Sequence, residues 1–292
     1  MSPARRRVLQ GLLALSGLVS GLPLAASGSG RLISVGGSVT ETVFALGAAD
    51  QLVGVDTSSI YPESARELPK VGYQRVLSAE GILSLRPTLL LSDEQAGPAT
   101  VIQQLRAAGL PVQTVPSATT GAAVSEKILM IGRTLDRAAR AEQLARRVAR
   151  QLRSVAVALT GLEPGPKVLL LLAHGRGSPL GAGSDTQAEA MIRMAGGRNA
   201  LRGFRGYKPV SPEAMVAAAP DVIVLPEQSL QSLGGLDAAL AASGLSATPA
   251  GRKGRIVVLD MLYLLGMGPR TGDAVIELAA AFHPELEPSL DS

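Results

Sequence analysis

Tyr73 lies in the stretch VGYQRVLSAEG (residues 71–81), just after Gly72, two places before Arg75 and ahead of a helix start at Ser78. The chain has four tyrosines, three phenylalanines, two histidines and no tryptophan in 292 residues. A rare aromatic beside an arginine on a loop is therefore either packing or the working group of the protein. Other chemistry is thinly supplied. A nucleophilic enzyme needs a hydroxyl or thiol with a base in reach. Ser178 near His174, in HGRGSPLGAG (174–183), is the pairing on offer, and it lacks the strand–turn–helix Gly-x-Ser-x-Gly arrangement. A zinc or manganese site of the His-rich type takes three or more His and carboxylate ligands. Two distant histidines, His174 and His283, and no cysteine argue against one. Gly36-Gly37 and Gly175/Gly177 follow strand-like runs and precede helix-like patterns, where backbone amides could hold an anion. Neither spacing matches a dinucleotide fingerprint or a P-loop.

The elements that would position these residues alternate. RLISVGG (31–37), LVGVD (52–56), PTLLLS (87–92) and PVQTVP (111–116) read as strands of one α/β lobe. KVLLLLAH (167–174), DVIVLP (221–226) and RIVVLD (255–260) read as strands of a second. They are continuous apolar runs, as expected of strands buried on both faces, and the alternation predicts two lobes with mostly parallel sheets. Residues 31–134 make the first lobe and 167–287 the second, with a single long helix over 135–160 between them. Its segment 136–159 holds no Gly or Pro and is rich in Ala, Arg and Leu. Leu135, Leu144, Val148 and Leu152 share one face, and 1.5 Å per residue gives a span of roughly 35 Å. In such a fold ligands gather at the carboxyl ends of the strands, in the cleft between lobes.

Composition narrows the setting. A hydrophobic share of 46% with 18% charged residues describes a globular chain with an aliphatic core. Residues 1–26 combine a basic start, an apolar run and small residues near Ala25-Ala26, which reads as a secretory signal peptide, by the Sec or the twin-arginine route. Arg5, Arg6 and Arg7 leave with it. Of 28 basic residues 25 then remain against 24 acidic ones, and a nucleic-acid partner loses its support. Without cysteine there is neither a disulfide nor a lipid-modified N-terminal cysteine, so a free periplasmic protein is expected.

SAEGILSLRPTLLL (78–91) matches SPEAMVAAAPDVIV (211–224) position for position. Ser78 and Ser211 suit helix N-caps, Glu80 and Glu213 sit in the first turn, Pro212 takes the favoured first position, and Pro87 or Pro220 marks the exit to a strand. The acids either complement helix dipoles or present one carboxylate per lobe to a pseudo-symmetric partner.

Taken together, the export signal, two lobes, connecting helix and paired Ser-x-Glu elements resemble the helix-backboned substrate-binding proteins of ABC importers, an architecture shared by cobalamin and siderophore binders. KVGYQRVLSAEGILSLRP (70–87), HGRGSPLGAGSDTQAEAMIRMAGGRNA (174–200) and GYKPVSPEAM (206–215) resemble, more narrowly, the haem-binding branch. The likeness covers nearly all of residues 31–287. It implies that Tyr73 ligates ferric haem iron, with His174 a candidate second ligand, since some relatives use a histidine there and others tyrosine alone. A phenol titrates near about 10, and Fe(III) with a guanidinium such as Arg75, two places on in an extended loop, favours its anion. Arg75, Arg176, Arg205 and Lys208 are the cations available for propionates. Tyr207, Tyr263, Met261 and Met267 are candidate contacts for the porphyrin faces. Glu80 and Glu213 would dock on arginines of a permease dimer whose partner ATPase does the hydrolysis, with haem supplied from an outer-membrane receptor system. The chain itself then catalyses nothing. The rivals are a cobalamin or ferric-siderophore carrier of the same fold, and a secreted serine hydrolase using Ser178 and His174.

Overall fold

The computed structural model describes residues 30–286 other than 163, 174–177 and 243. His174, Arg176 and the predicted signal peptide lie outside the described residues. The first lobe runs β1 (Leu32–Val35), α1 (Gly37–Ala45), β2 (Leu52–Val55), a hairpin of β3 (Gly72–Tyr73) and β4 (Val76–Leu77), α2 (Ala79–Ser84), β5 (Leu89–Asp93), α3 (Ala99–Ala107), β6 (Val112–Val115) and α4 (Gly121–Thr134). Its sheet is parallel in the order β2-β1-β5-β6. All four residues of β1 are buried, because helices cover both faces of a parallel sheet.

α5 (Ala138–Ala158) leads to the second lobe. Its elements are β7 (Lys167–Leu172), β8 (Leu180–Ala182), α6 (Gln187–Met194), β9 (Arg198–Asn199), β10 (Tyr207–Pro209), α7 (Pro212–Ala218), β11 (Val222–Pro226), α8 (Glu227–Ser232), α9 (Leu236–Ala242), α10 (Pro249–Arg252), β12 (Ile256–Leu259), α11 (Met261–Leu265) and α12 (Thr271–Phe282). The second sheet runs β10-β8-β7-β11-β12, with β9 paired to β7. β7, β9, β11 and β12 are parallel, and β8 with β10 at the edge adds an antiparallel margin that the apolar runs did not announce. β8, β9 and β10 are two or three residues long, too short to print a period. For the same reason, the next element after Gly175 and Gly177 is strand β8 and not the helix expected there.

The connecting helix is shorter at its start than the composition suggested. Asp136 adopts a left-handed φ of 55°, and Leu135 caps α4 instead of opening α5. Over its 21 residues α5 buries Ala141, Leu144, Ala145, Val148 and Val155, the i, i+3, i+4, i+7 stripe of an amphipathic helix. α4 crosses it closely at Gly132, where an added Cβ would overlap the Ala141 Cβ. At its other end Gln151 donates from its amide to Asp273 of α12. One apolar cluster thus runs from Leu32, Val39 and Val43 through α4, α5 and α12 to Val168 and Val224 in the second lobe. The lobes share a core along this side, and that shared core resists large rearrangement.

They also meet where α1 begins. Leu262 of α11 packs against Gly37, where a Cβ would lie 2.6 Å from its Cδ1. Beside it, Arg270 forks onto Glu41 of α1 through two hydrogen bonds of 2.9 Å each. The Glu41 side chain is 6% exposed and that of Arg270 21%. Lys127, buried on α4, donates to Ser38 Oγ at 3.1 Å, and burial pushes its ammonium pKa down while Asp93 and Glu41 pull it back. Among the described residues, no helix is long and apolar enough to cross a membrane.

Candidate functional site

The Tyr73 loop is a tight β-hairpin and not the extended loop expected. Gly72 pairs with Leu77 and Tyr73 with Val76, so Gln74 and Arg75 form a two-residue turn. Gly72 is needed at the entry: its φ is 103°, and a Cβ there would come within 3.0 Å of the Val76 carbonyl oxygen. An isolated two-residue ladder is not stable by itself, and this one is pinned from outside. Thr57 N–H donates to Gly72 O, Gly97 N–H donates to Gln74 O, and Leu77 N–H donates to Gly97 O, each at 2.9 Å. The bracing loops come after β2 and β5, so the hairpin stands at the carboxyl ends of the first sheet. Underneath, the buried Asp56 carboxylate accepts from Gly36 N–H at 2.8 Å, Ser58 N–H at 2.9 Å and Ser59 Oγ at 2.7 Å, fixing the β1–α1 turn.

That geometry changes which residue accompanies the tyrosine. Because the chain reverses at Gln74-Arg75, the side chain directly across from Tyr73 is Val76, and cross-strand partners share a face. Tyr73 is 46% exposed and Val76 69%, an apolar pair open to solvent. Arg75 extends from the turn and donates from Nη2 to Gln95 Oε1 at 2.6 Å, while Gln95 N–H is held by Asp93 at 2.9 Å. From there the Arg75 charge is felt by Tyr207 of the other lobe.

Tyr207, on β10, is a different kind of tyrosine. Burial pushes its phenol pKa up. The Ala188 backbone and the Thr186 hydroxyl, at the start of α6, hydrogen-bond it and pull the other way, as does Arg75. Arg205 is exposed and paired with Asp185, and the exposed Lys208 ammonium lies 5.5 Å from the centre of the Phe204 ring. Glu80 and Glu213 are in the first turns of α2 and α7. Ser78 Oγ accepts from Gly81 N–H at 3.2 Å and Ser211 Oγ from Ala214 N–H at 3.3 Å. Ser211 also hydrogen-bonds the Glu213 carboxylate and lowers its pKa. Ser178 is exposed just before β8. His283 is buried against the Gly196 carbonyl at 3.3 Å, outside this group of residues.

Sequence reasoning missed Val76, Gln95 and Tyr61. Tyr61, after β2, is 43% exposed, and the Arg270 guanidinium stacks 3.6 Å from its ring centre and 5.0 Å from that of Tyr263. Burial first, and Glu277 second, push the Tyr263 phenol pKa up. Met261 is half-buried beside it in α11, and Met267 is buried. Tyr61, Tyr73 and Tyr263 thus stand on segments that follow strands, whereas Tyr207 opens β10. A signal for their grouping was present: Gly72-Tyr73 and Gly206-Tyr207 each lie shortly before a Ser-x-Glu helix, five and four residues ahead of the serine. The one-residue difference in spacing hid the match. Among the described residues no three His, Cys, Asp or Glu side chains are grouped to hold a metal ion.

The comparisons agree with this architecture. The family model described as periplasmic binding protein matches residues 32–262. The periplasmic heme-binding protein RhuT from Roseiflexus sp. RS-1, in its apo form, is 44% identical with a TM-score of 0.84 over 88% of this chain and 99% of that one. The periplasmic heme-binding protein BhuT in complex with two hemes is 44% identical with a TM-score of 0.82 over the same shares. An uncharacterized ABC transporter substrate-binding lipoprotein of Bacillus subtilis (strain 168), YvrC, is 29% identical over 87% of this chain and 80% of its own. With two lobes on parallel sheets, one long helix between them and a family match spanning both lobes, the chain belongs to the periplasmic binding protein family.

Proposed function

We propose that this chain captures haem in the periplasm and delivers it to an ABC import permease. The observation that carries the reading is Tyr73: a tyrosine 46% exposed on a hairpin braced from two loops, with Val76 on its face and an arginine in its turn. The likeness to heme-binding proteins over 88% of the chain supports it. Tyrosinate is an established ligand of ferric haem. Tyr73 supplies that oxygen, Val76 lies against the porphyrin face, and Arg75, oriented by Gln95, stabilises the anionic oxygen or a propionate. Arg205, Lys208 and Arg176 are the further propionate candidates, and His174 is the candidate second ligand. Tyr207, half-buried and held protonated, closes the site from the second lobe. Glu80 and Glu213 dock on cations of a permease dimer, and ATP hydrolysis belongs to its partner subunit. An outer-membrane receptor system supplies the haem.

Titrating the purified protein with hemin tests the ligand. A saturable Soret band with high-spin ferric charge-transfer features is expected, and Tyr73→Ala should abolish those features. An unchanged spectrum in Tyr73→Ala would overturn the ligand assignment. Saturable binding of cyanocobalamin without any hemin response would instead favour the cobalamin carrier. Reversing Glu80 and Glu213 to Lys should block uptake and leave hemin binding intact. Unchanged uptake sinks the docking role.

A further inference from the structure

α2 and α7 are copies in more than sequence. Residues 133 apart (78 and 211, 80 and 213, 86 and 219) occupy the same structural positions. Both helices start on a capping serine, bury one apolar residue completely (Ile82, Met215) and end on a left-handed residue before proline, Arg86 with φ 47° and Ala219 with φ 46°. The strands after them, Leu89–Asp93 and Val222–Pro226, begin and end at the same spacing. Each helix feeds its strand through a short turn and so runs antiparallel to it. Its first turn therefore lies at the carboxyl end of the strand, the cleft side of the lobe.

Within this match stands a pair that complementing the helix dipole does not explain. Leu83 and Val216, three residues after Glu80 and Glu213, are each 38% exposed. Residues three apart on a helix share a face. A single exposed leucine needs no explanation. The same acid–apolar pair shown twice, at matched positions and equal exposure, is a repeated recognition surface. A surface repeated once per lobe fits a partner that is itself two copies of one chain.

We propose that Leu83 and Val216 are the apolar anchors of a two-point docking surface. Each enters an apolar recess beside the cation that takes Glu80 or Glu213, on a homodimeric membrane permease. The inference rests on the docking role given to the two acids above. The physical need is clear: exposed ion pairs contribute little and are screened by salt, whereas burial of apolar surface is not weakened by that screening. The acids orient the encounter and the apolar anchors hold it. In the first lobe this patch is one rigid piece with the Tyr73 hairpin, because Leu77, next to the Ser78 cap, pairs with Gly72 and donates to Gly97 O. The docking groups Glu80 and Leu83 therefore lie seven and ten residues from Tyr73 on a connected segment.

The test uses the hemin-loaded protein and its permease–ATPase complex in nanodiscs, with binding measured at low and high salt. Leu83→Ser with Val216→Ser should weaken binding about tenfold at both salt concentrations and leave the hemin spectrum unchanged. Glu80→Gln with Glu213→Gln should weaken it at low salt, with the difference fading at high salt. Loss in the glutamate pair but not in the Leu83/Val216 pair overturns the anchors and leaves the docking reading standing. Wild-type binding in both pairs overturns the docking reading itself. Should the serine pair melt early, Leu83→Met with Val216→Met keeps the apolar surface. It should bind as the wild type does, and a tenfold loss there counts against the anchors. The single serine variants should each cost part of the loss, and one variant carrying all of it rules out a two-point surface.

Discussion

The two lobes use one module in two ways. Each has a glycine at positive φ (Gly72 at 103°, Gly206 at 75°), a tyrosine after it, a serine-capped helix with an acid in its first turn, a left-handed exit residue and a buried parallel strand. In the first lobe Gln74-Arg75 makes a two-residue turn, and the tyrosine stands on its own hairpin, exposed. In the second, Lys208-Pro209 carries the chain on as β10, which pairs with β8. Pro209 cannot donate to a ladder, and the edge position tolerates it. Tyr207 is thereby folded into the sheet margin, hydrogen-bonded to Thr186 and protonated more firmly than a free phenol. One residue of spacing separates an exposed tyrosine from a half-buried one. The same backbone plan therefore yields an exposed tyrosine on one side and a half-buried, hydrogen-bonded one on the other.

The contrast depends on the lobes being held together at their base, and the largest effect should come from loosening it. Arg270→Met strands the buried Glu41 carboxylate and should cost about 3 kcal/mol in urea unfolding, the low end of such losses because Lys127 stays near. A loss under about 1 kcal/mol would mean that the pair is not what joins the lobes. Next comes the difference between the tyrosines. Tyr73→Ala should lower hemin affinity at least about 100-fold, above the usual cost of losing an outer-shell partner, with the melting temperature unchanged. Tyr207→Phe should change hemin affinity only a few-fold and cost about 1 kcal/mol of stability. The reverse pattern would exchange their roles. Gln95→Ala, which frees Arg75, should weaken hemin binding about tenfold; an unchanged dissociation constant would show that orienting Arg75 is immaterial. The smallest effects sharpen the likeness between the lobes. Ser78→Ala and Ser211→Ala should each cost about 1 kcal/mol, and clearly unequal losses in thermal unfolding would show that the two helices are not equivalent.

Much of this was legible in the chain. β1, β2, β6, β7, β11 and β12 lie within the predicted runs and β5 overruns its run by Asp93 alone, because strands covered on both faces are mostly apolar. α5 showed itself by composition and spacing, and the paired helices by serine, glutamate and proline at fixed offsets. The hairpin did not: Gly72 to Leu77 reads as a loop, since a ladder of two residue pairs carries no period. Its stability comes from Thr57 and Gly97, which only folding brings to it. Tyr61 and Arg270 are likewise invisible as partners at 209 residues apart (61 to 270), and Glu41 and Arg270 at 229.

By itself, then, the sequence determined the local physics: where the main strands lie, where the two serine-capped helices start, that two such sets are joined by a helix, and that aromatic residues are scarce. Those are decided by periodicity, capping and backbone preference within a few residues. Only the tertiary structure decided which tyrosine is open, that Val76 and not Arg75 shares its face, that Gln95 holds the arginine, and that an ion pair spans the lobes. Exposure and partnership depend on what the rest of the chain places alongside, and no local pattern records that.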